Sequence, residues 1–291
     1  MSETITYTEI NELLDRIKPI ETGDTANFND WLRFFPRDNK PAFRKARLEL
    51  FAAHHGDVIA DHGRERACYV SENYLQQCLS NQAPIARLCQ DMDADLRVYE
   101  MDLETPTRDR RHEPAMSEDE MVRAMSYGMM AIAPDADIYA MGAFGAGSRE
   151  CAEALLDHED TPLNLLQNRG GLEICALAGA VLATRLAGLA LLLEAPQGLG
   201  ALHALGNHIP SIGQHCCVVY TGHNSHTLPA PAGKAQTLTI EDRLPQHAGI
   251  ACAMGLNRVR ALGPVIDAEH ASEIDKQKQQ SESCNDMREN T

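Results

Sequence analysis

Three stretches of this chain put chemistry-bearing residues beside turns. The first is Gly170-Gly171-Leu172-Glu173-Ile174-Cys175-Ala176-Leu177-Ala178-Gly179. A glycine pair leads into an apolar helical segment, and an acid stands in its first turn. Apolar residues at 174, 177, 178, 181 and 182 mark a buried helix face. The positive end of a helix favours a carboxylate there. Glu173 either caps the helix or reaches a ligand from the turn. The second stretch is Met141-Gly142-Ala143-Phe144-Gly145-Ala146-Gly147-Ser148. Gly142, Gly145 and Gly147 let backbone approach a ligand, Ser148 is a candidate N-cap, and the turn can cradle a phosphate. A plain tight turn is the alternative. The third is Ala53-His54-His55-Gly56-Asp57, paired with a late counterpart, Thr221-Gly222-His223-Asn224-Ser225-His226. These two offer titratable groups next to glycine. The histidines fall in two regions, but no H-E-x-x-H or C-x-x-C pattern orders them, so no metal site is expected.

Positioning these turns requires strands and helices at regular intervals. Leu48–Ala53, Leu96–Met101, Ile138–Met141, Leu189–Leu193 and Cys217–Tyr220 read as strands. Helical patterns lie near 71–90, 117–132, 148–157, 172–187 and 197–207. Ser117 and Glu120 form a capping box for the second of these, with Val122, Met125 and Met129 on one face. Residues 1–18 form an amphipathic helix, with Thr6 and Glu9 as its capping box and Pro19 as its stop. Alternation of apolar strands with helices predicts an α/β fold: a Rossmann-like parallel sheet with helices on both faces. Ligands in such folds bind beyond the carboxyl ends of the strands, where the glycine turns lie. The expected organisation is an N-terminal helix and arm at 1–45, an α/β domain at 46–265, and a disordered polar tail at 266–291. The arm holds the single tryptophan, Trp31, and packs on the main domain or on a second subunit.

Composition narrows the partners. A net charge of −16 argues against nucleic acid or an anionic membrane, since phosphate backbones need a basic footprint. It leaves room for a small phosphorylated ligand at a helix start. Nine cysteines without framework spacing, two of them adjacent at Cys216 and Cys217, suit free thiols. With no signal-peptide pattern, the expected compartment is the cytoplasm. The apolar run from Ile174 to Ala195 is interrupted by Arg185 and Glu194, so no membrane span is expected.

Taken together, the turns resemble one family, the nicotinate-nucleotide:dimethylbenzimidazole phosphoribosyltransferases of cobalamin lower-ligand assembly. Ala53-His54-His55-Gly56-Asp57 stands where the family has A-D-H-G-V. Asp93-Ala94-Asp95-Leu96-Arg97-Val98-Tyr99-Glu100 is similar to its Q-A-G-A-x-L-R-V-x-D. Met116-Ser117-Glu118-Asp119-Glu120-Met121 looks like its M-T-x-x-x-A helix start. G-E-M-G-I-G-N-T-T falls on Gly142 to Glu150, and G-G-[FL]-E-I-A-A-x-A-G matches Gly170 to Gly179 almost residue for residue. The family's H-x-S matches His223-Asn224-Ser225. The likeness runs from about residue 45 to 262. It implies the Rossmann-like domain, a small helical part from the chain ends, a homodimer and no cofactor. It also implies the reaction: a benzimidazole nitrogen attacks the anomeric carbon of nicotinate mononucleotide, and nicotinate leaves. The implied phosphate and ribose contacts are Gly142, Gly145, Gly147, Ser148, Arg149 and Ser225. The implied substrate pocket holds His55, Gly170, Gly171 and His223.

Departures from the pattern fall on the chemistry. The family's general base is the Glu of L-G-E-G-[ST]-G-A, and this chain reads Leu244-Pro245-Gln246-His247-Ala248-Gly249-Ile250. An amide takes no proton near neutral pH. A positioned base is worth about 10²–10⁴-fold in rate, or roughly 3–5 kcal/mol. His247 is a substitute candidate, since an imidazole titrates near pH ~6.5; a surface histidine without a catalytic role is the alternative. The Glu of G-E-M-G is Ala143, and the family's G-x-G-T-G loop and downstream lysine have no counterpart. Arg149 supplies a replacement cation, with Glu150 beside it opposing an anion. The catalytic candidates are therefore Glu173, Gln246 and His247. Two readings follow. One is a divergent transferase acting on a nucleotide and a flat aromatic base. The other is a catalytically impaired paralogue, a ligand-binding or regulatory subunit, which would form a heterodimer with an active relative.

Overall fold

The computed structural model describes residues 5–20, 27–33, 35, 43, 45–133, 135–222, 227–240, 247–266 and 268. Its centre is six parallel strands in the order β2-β1-β3-β4-β5-β6. They are β1 (Ala46–Ala52), β2 (Asp95–Glu100), β3 (Ile138–Phe144), β4 (Ala190–Glu194), β5 (Cys216–Thr221) and β6 (Gln236–Ile240). Every residue of β1, β3 and β4 is buried, and these strands are mostly apolar, with Arg47 and Glu49 in β1 and Glu194 at the end of β4 as the charged exceptions. The edge strands are more open: β2 alternates half-buried with exposed positions, and β6 mixes buried, half-buried and exposed ones. All five expected strands are present. The sixth was not expected, because Gln236-Thr237-Leu238-Thr239-Ile240 alternates polar and apolar residues over a short edge.

The helices are α1 (Tyr7–Arg16), α2 (Phe28–Arg33), α3 (Gly56–His62), α4 (Arg64–Leu79), α5 (Pro84–Asp91), α6 (Glu118–Ala131), α7 (Ser148–Leu156), α8 (Pro162–Arg169), α9 (Leu172–Ala187) and α10 (Gln197–Gly206). A last helix, α11, spans 250–266. Both expected capping boxes are formed, Thr6 with Glu9 and Ser117 with Glu120. The single helix expected near 71–90 is a correction: it is two helices. Asn81 takes a left-handed φ of 57° between them, and Pro84 starts the second. Short α3 and α8 were not foreseen.

One core joins α1, α6, α7, α8, α9 and α10 to one sheet face. A second joins α2, α4, α5 and α11 to the other. The terminal helices therefore lie on opposite faces. Within the arm, Trp31 is fully buried between Phe28 and Phe35, with ring centroids 5.6 and 5.1 Å away, and packs on the main domain. Most other arm residues from 21 to 44, and nearly all of the 266–291 tail, lie outside the described residues.

Helices α6 and α9 touch backbone to backbone. A Cβ on Gly128 would overlap the Ala176 carbonyl, and one on Gly179 would overlap that of Met125. This contact seats α9, and with it Glu173. An exposed helical Gly→Ala change stabilises by about 1 kcal/mol. Gly179→Ala is expected to do the reverse and cost about 1–3 kcal/mol or more from overpacking, read as a lowered urea midpoint.

Glu49 lies mid-strand on β1, wholly buried, and neither carboxylate oxygen has a hydrogen-bond partner. Burial pushes its carboxyl up to about 8, against the pull of Arg97 and Arg47. The folded pKa thus lies above the ordinary 4.5. Stability from this site is complete below the unfolded pKa and is lost as pH rises toward 8, by up to about 1.4 kcal/mol per pH unit. Glu49→Gln is expected to flatten that slope in urea titrations at pH 5 to 8, and to gain on the wild type at the upper end.

Candidate active site

The strand order reverses between β1 and β3, the usual place for a ligand crevice. Here that crevice is sewn shut. Ala53 donates to the Phe144 carbonyl at 3.0 Å and His55 to that of Ala146 at 2.9 Å. The Ala146 N–H donates to His54 Nδ1 at 3.1 Å. Gly145, at φ +151°, allows this approach, since a Cβ would strike the Ala53 carbonyl.

Behind the seam His55 and Glu173 form a buried pair, with Nε2 to Oε1 at 2.8 Å and neither residue exposed. Burial pushes the Glu173 carboxyl up. The attraction and hydrogen bond of His55 outweigh it and hold the group below its ordinary range. Oε2 has no hydrogen bond of full geometry, although the Ser148 hydroxyl lies near enough to lower the carboxyl further. Arg110 Nη1 sits 3.3 Å from His55 Nδ1. Burial pushes the His55 imidazole down, but the Glu173 charge outweighs it and holds the ring well above its ordinary range, so its Nε2–H donates to the carboxylate. Arg110 is itself paired with Asp57 at 2.6 Å. Two glycines make room for the ring. On Gly147, at φ +83°, a Cβ would lie 2.8 Å from His55 Cβ, and on Gly171 it would overlap the ring and the Glu173 carboxylate. Gly170 serves differently, pressed against the last turn of α8 at Leu166.

The open space lies over β3, β4 and β5, as a cavity of about 240 Å³. Its lining includes Phe144, Gly145, Ser148, Arg149, Glu150, Glu194, Gln197, Thr221 and His247. The first turn of α7 and the starts of α10 and α11 border it, so positive helix ends surround it. Ser148 is not the N-cap, which corrects the sequence expectation. Gly147 holds that position in a left-handed conformation, Ser148 is the first helical residue, and its Oγ accepts from Gln197 Nε2 at 3.4 Å. Arg149 is bound to Glu153 at 2.9 Å. On one wall His247 stacks on Tyr74, with centroids 5.0 Å apart and rings 9° from parallel, and Phe144 meets Tyr74 edge-on at 5.1 Å. Tyr74 is fixed by donating to the Ala248 carbonyl at 2.6 Å.

The structure thus sorts the expected residues. Gly145, Ser148, Arg149 and His247 line the cavity. Gly142 stands just beneath it, against the Glu194 carboxylate. His55, Gly147, Gly171 and Glu173 form the buried knot that supports it, and Gly170 closes the turn behind. His223, Ser225 and Gln246 lie outside the described residues. Sequence reasoning assigned no role to Asp57, Arg110, Tyr74, Gln197 or Glu194. Asp57 carried a signal as the acid of a glycine turn, and Glu194 as an acid closing an apolar strand.

Two groups bring three metal-type donors within 4.8 Å: His54, Cys68 and Glu72, and His55, Cys151 and Glu173. His54 Nδ1 accepts the Ala146 N–H, so the proton of the neutral ring sits on Nε2, the nitrogen facing Glu72. His55 Nε2 is committed to Glu173, and the Cys151 thiol donates to the Arg169 carbonyl at 3.3 Å. The second group is thus spent on internal contacts, whereas in the first His54 Nε2 lies 3.6 Å from the Glu72 carboxylate without a hydrogen bond. A larger cavity of about 520 Å³ lies between β2 and α6 and contains none of the expected site residues.

A family model described as a phosphoribosyltransferase, DBI_PRT, matches residues 17–159. A nicotinate-nucleotide–dimethylbenzimidazole phosphoribosyltransferase of Allorhizobium ampelinum is 27% identical, with 76% of each chain covered. That of Rhizobium rhizogenes is 26% identical, covering 76% of this chain and 77% of its own. The chain is similar to these phosphoribosyltransferases along most of its length. The fold agrees: the crystal structure of the Thermus thermophilus enzyme so named superposes with a TM-score of 0.68 at 18% identity, over 89% of this chain and 94% of that one. Among the described residues no helix is long and apolar enough to cross a membrane.

The buried pair sets a test. His55→Ala and Glu173→Ala are each expected to cost about 3–5 kcal/mol, because each strands the other's polar group. The double variant should cost less than their sum by more than about 1 kcal/mol, measured by urea denaturation.

Proposed function

We propose that this protein is a phosphoribosyltransferase that moves a phosphoribosyl group from nicotinate mononucleotide to a benzimidazole-like aromatic acceptor. The observation that carries the reading is the convergence of helix starts on one cavity at the carboxyl edge of the sheet, in a chain whose relatives bear that name. A phosphate suits the first turn of α7, where Gly145 and Gly147 bring backbone close and Arg149 stands by. At about 240 Å³ the cavity falls below the ~300–1,000 Å³ of drug-sized sites. It suits a sugar phosphate or a single ring, with the Phe144 and His247 wall offering a flat surface to the ring. Glu173 acts from behind, by holding His55 and the turns in place. Gln246, His223 and Ser225 join the site on the strength of the sequence resemblance alone. The α/β domain at 46–265 would carry the activity, in a cytoplasmic homodimer.

In the reaction a ring nitrogen of the acceptor bonds to the anomeric carbon as nicotinate departs. Incubation with nicotinate mononucleotide and dimethylbenzimidazole is expected to release nicotinate and form a ribosyl phosphate adduct, both followed by chromatography. Gly145→Ala is expected to abolish release by forcing the seam apart. Absence of nicotinate release with every benzimidazole tried would remove the reading.

A further inference from the structure

We propose that Glu194 takes the proton that the acceptor ring gives up during transfer, a task the amide of Gln246 cannot perform. This rests on the transferase reading. Glu194 ends β4 and lines the cavity beside Ser148, Gln197 and His247, although it is only 7% exposed. Its carboxylate is held rigidly. Oε2 accepts from the Gly249 N–H at 2.5 Å and Oε1 from the Ala251 N–H at 3.0 Å. Gly142 leaves the space it needs, since a Cβ there would lie 2.7 Å from Oε2. Among the described residues no arginine, lysine or histidine forms an ion pair with it. A carboxylate has about four acceptor sites, so the backbone donors leave room for one from the substrate.

A preorganised carboxylate without a counter-cation is poised to accept a proton. Burial pushes its carboxyl up to about 7, against the pull of the Gly249, Ala251 and Cys252 backbone. That is the range in which a general base works best at neutral pH. The groups around it are the Tyr74 hydroxyl, the Cys252 thiol, the His247 ring, Arg149 and Glu150. His247 is already engaged as a stacked platform on Tyr74. In the step, one ring nitrogen of the acceptor forms a bond to the anomeric carbon. The bond from that carbon to nicotinate breaks, and its electron pair goes to the nicotinate nitrogen. The N–H proton of the acceptor passes to Glu194, which later releases it to solvent.

The test compares wild type with Glu194→Gln on nicotinate mononucleotide and a series of benzimidazoles bearing electron-withdrawing groups. Wild-type kcat should rise with pH about a midpoint near 7. Glu194→Gln should lose about 10²–10⁴-fold in kcat with little change in KM for the nucleotide. It should also lose the pH limb, and its deficit should shrink as the acceptor N–H becomes more acidic. A folded variant that keeps wild-type kcat, or keeps the limb so that another group such as His247 holds the proton, overturns the proposal and leaves the transferase reading intact. If the variant fails to fold, a wild-type kcat that is flat with pH and insensitive to acceptor acidity overturns it equally. A wild type that releases no nicotinate removes both.

Discussion

The hydrogen bond between His55 and Glu173 is the constraint on which the carboxyl edge of this sheet depends. A carboxylate with no access to water must find a partner or give up its charge. Here the partner comes from a turn 118 residues away in the chain. The pair ties the turn after β1 to the start of α9, and Arg110 with Asp57 extends it to the loop before α6. Gly147 and Gly171 follow from it, because the imidazole occupies the space their side chains would need. The glycines of this edge therefore serve a protein side chain as much as any ligand.

Parallel topology explains why a cavity appears where it does. Each strand ends at the same edge, and each following helix begins there. The positive ends of α7, α10 and α11 therefore collect around one space. The β1–β3 switch point is filled by backbone pairing and by His54 and His55, which shifts the opening to β3, β4 and β5. Glu194 is the acidic element inside this electropositive rim. It binds two backbone donors at the start of α11 and is stationed under the aromatic wall of Tyr74, Phe144 and His247.

How far the chain can be read without coordinates varies with how local each cause is. Strands β1, β3, β4 and β5 were legible because both their faces are covered, and so was α9, whose glycine pair and apolar stripe mark its start. Strand β6 escaped notice because an edge strand needs apolar residues on one face only. The split of α4 from α5 turns on a single left-handed Asn81, a signal too small to separate two helical patterns. Glu173 was visible as the acid of a first turn. Its partner was not, since nothing near residue 173 mentions His55. The strand-terminal acid at 194 read as a break in an apolar run, and only its contacts with Gly249 and Ala251 give it chemical meaning.

By itself the sequence determined which segments alternate as strand and helix, which turns carry glycine, and which family the turns resemble. Periodicity and backbone freedom belong to neighbouring residues and survive in one dimension. Only the tertiary structure decided which of those glycines face a cavity and which make room for a buried imidazole. It alone assigned Glu173 to support rather than to the cavity wall, and brought Glu194 beneath the start of α11. Burial and hydrogen bonding depend on groups far apart along the chain, and a carboxylate's character is set by what the fold packs around it.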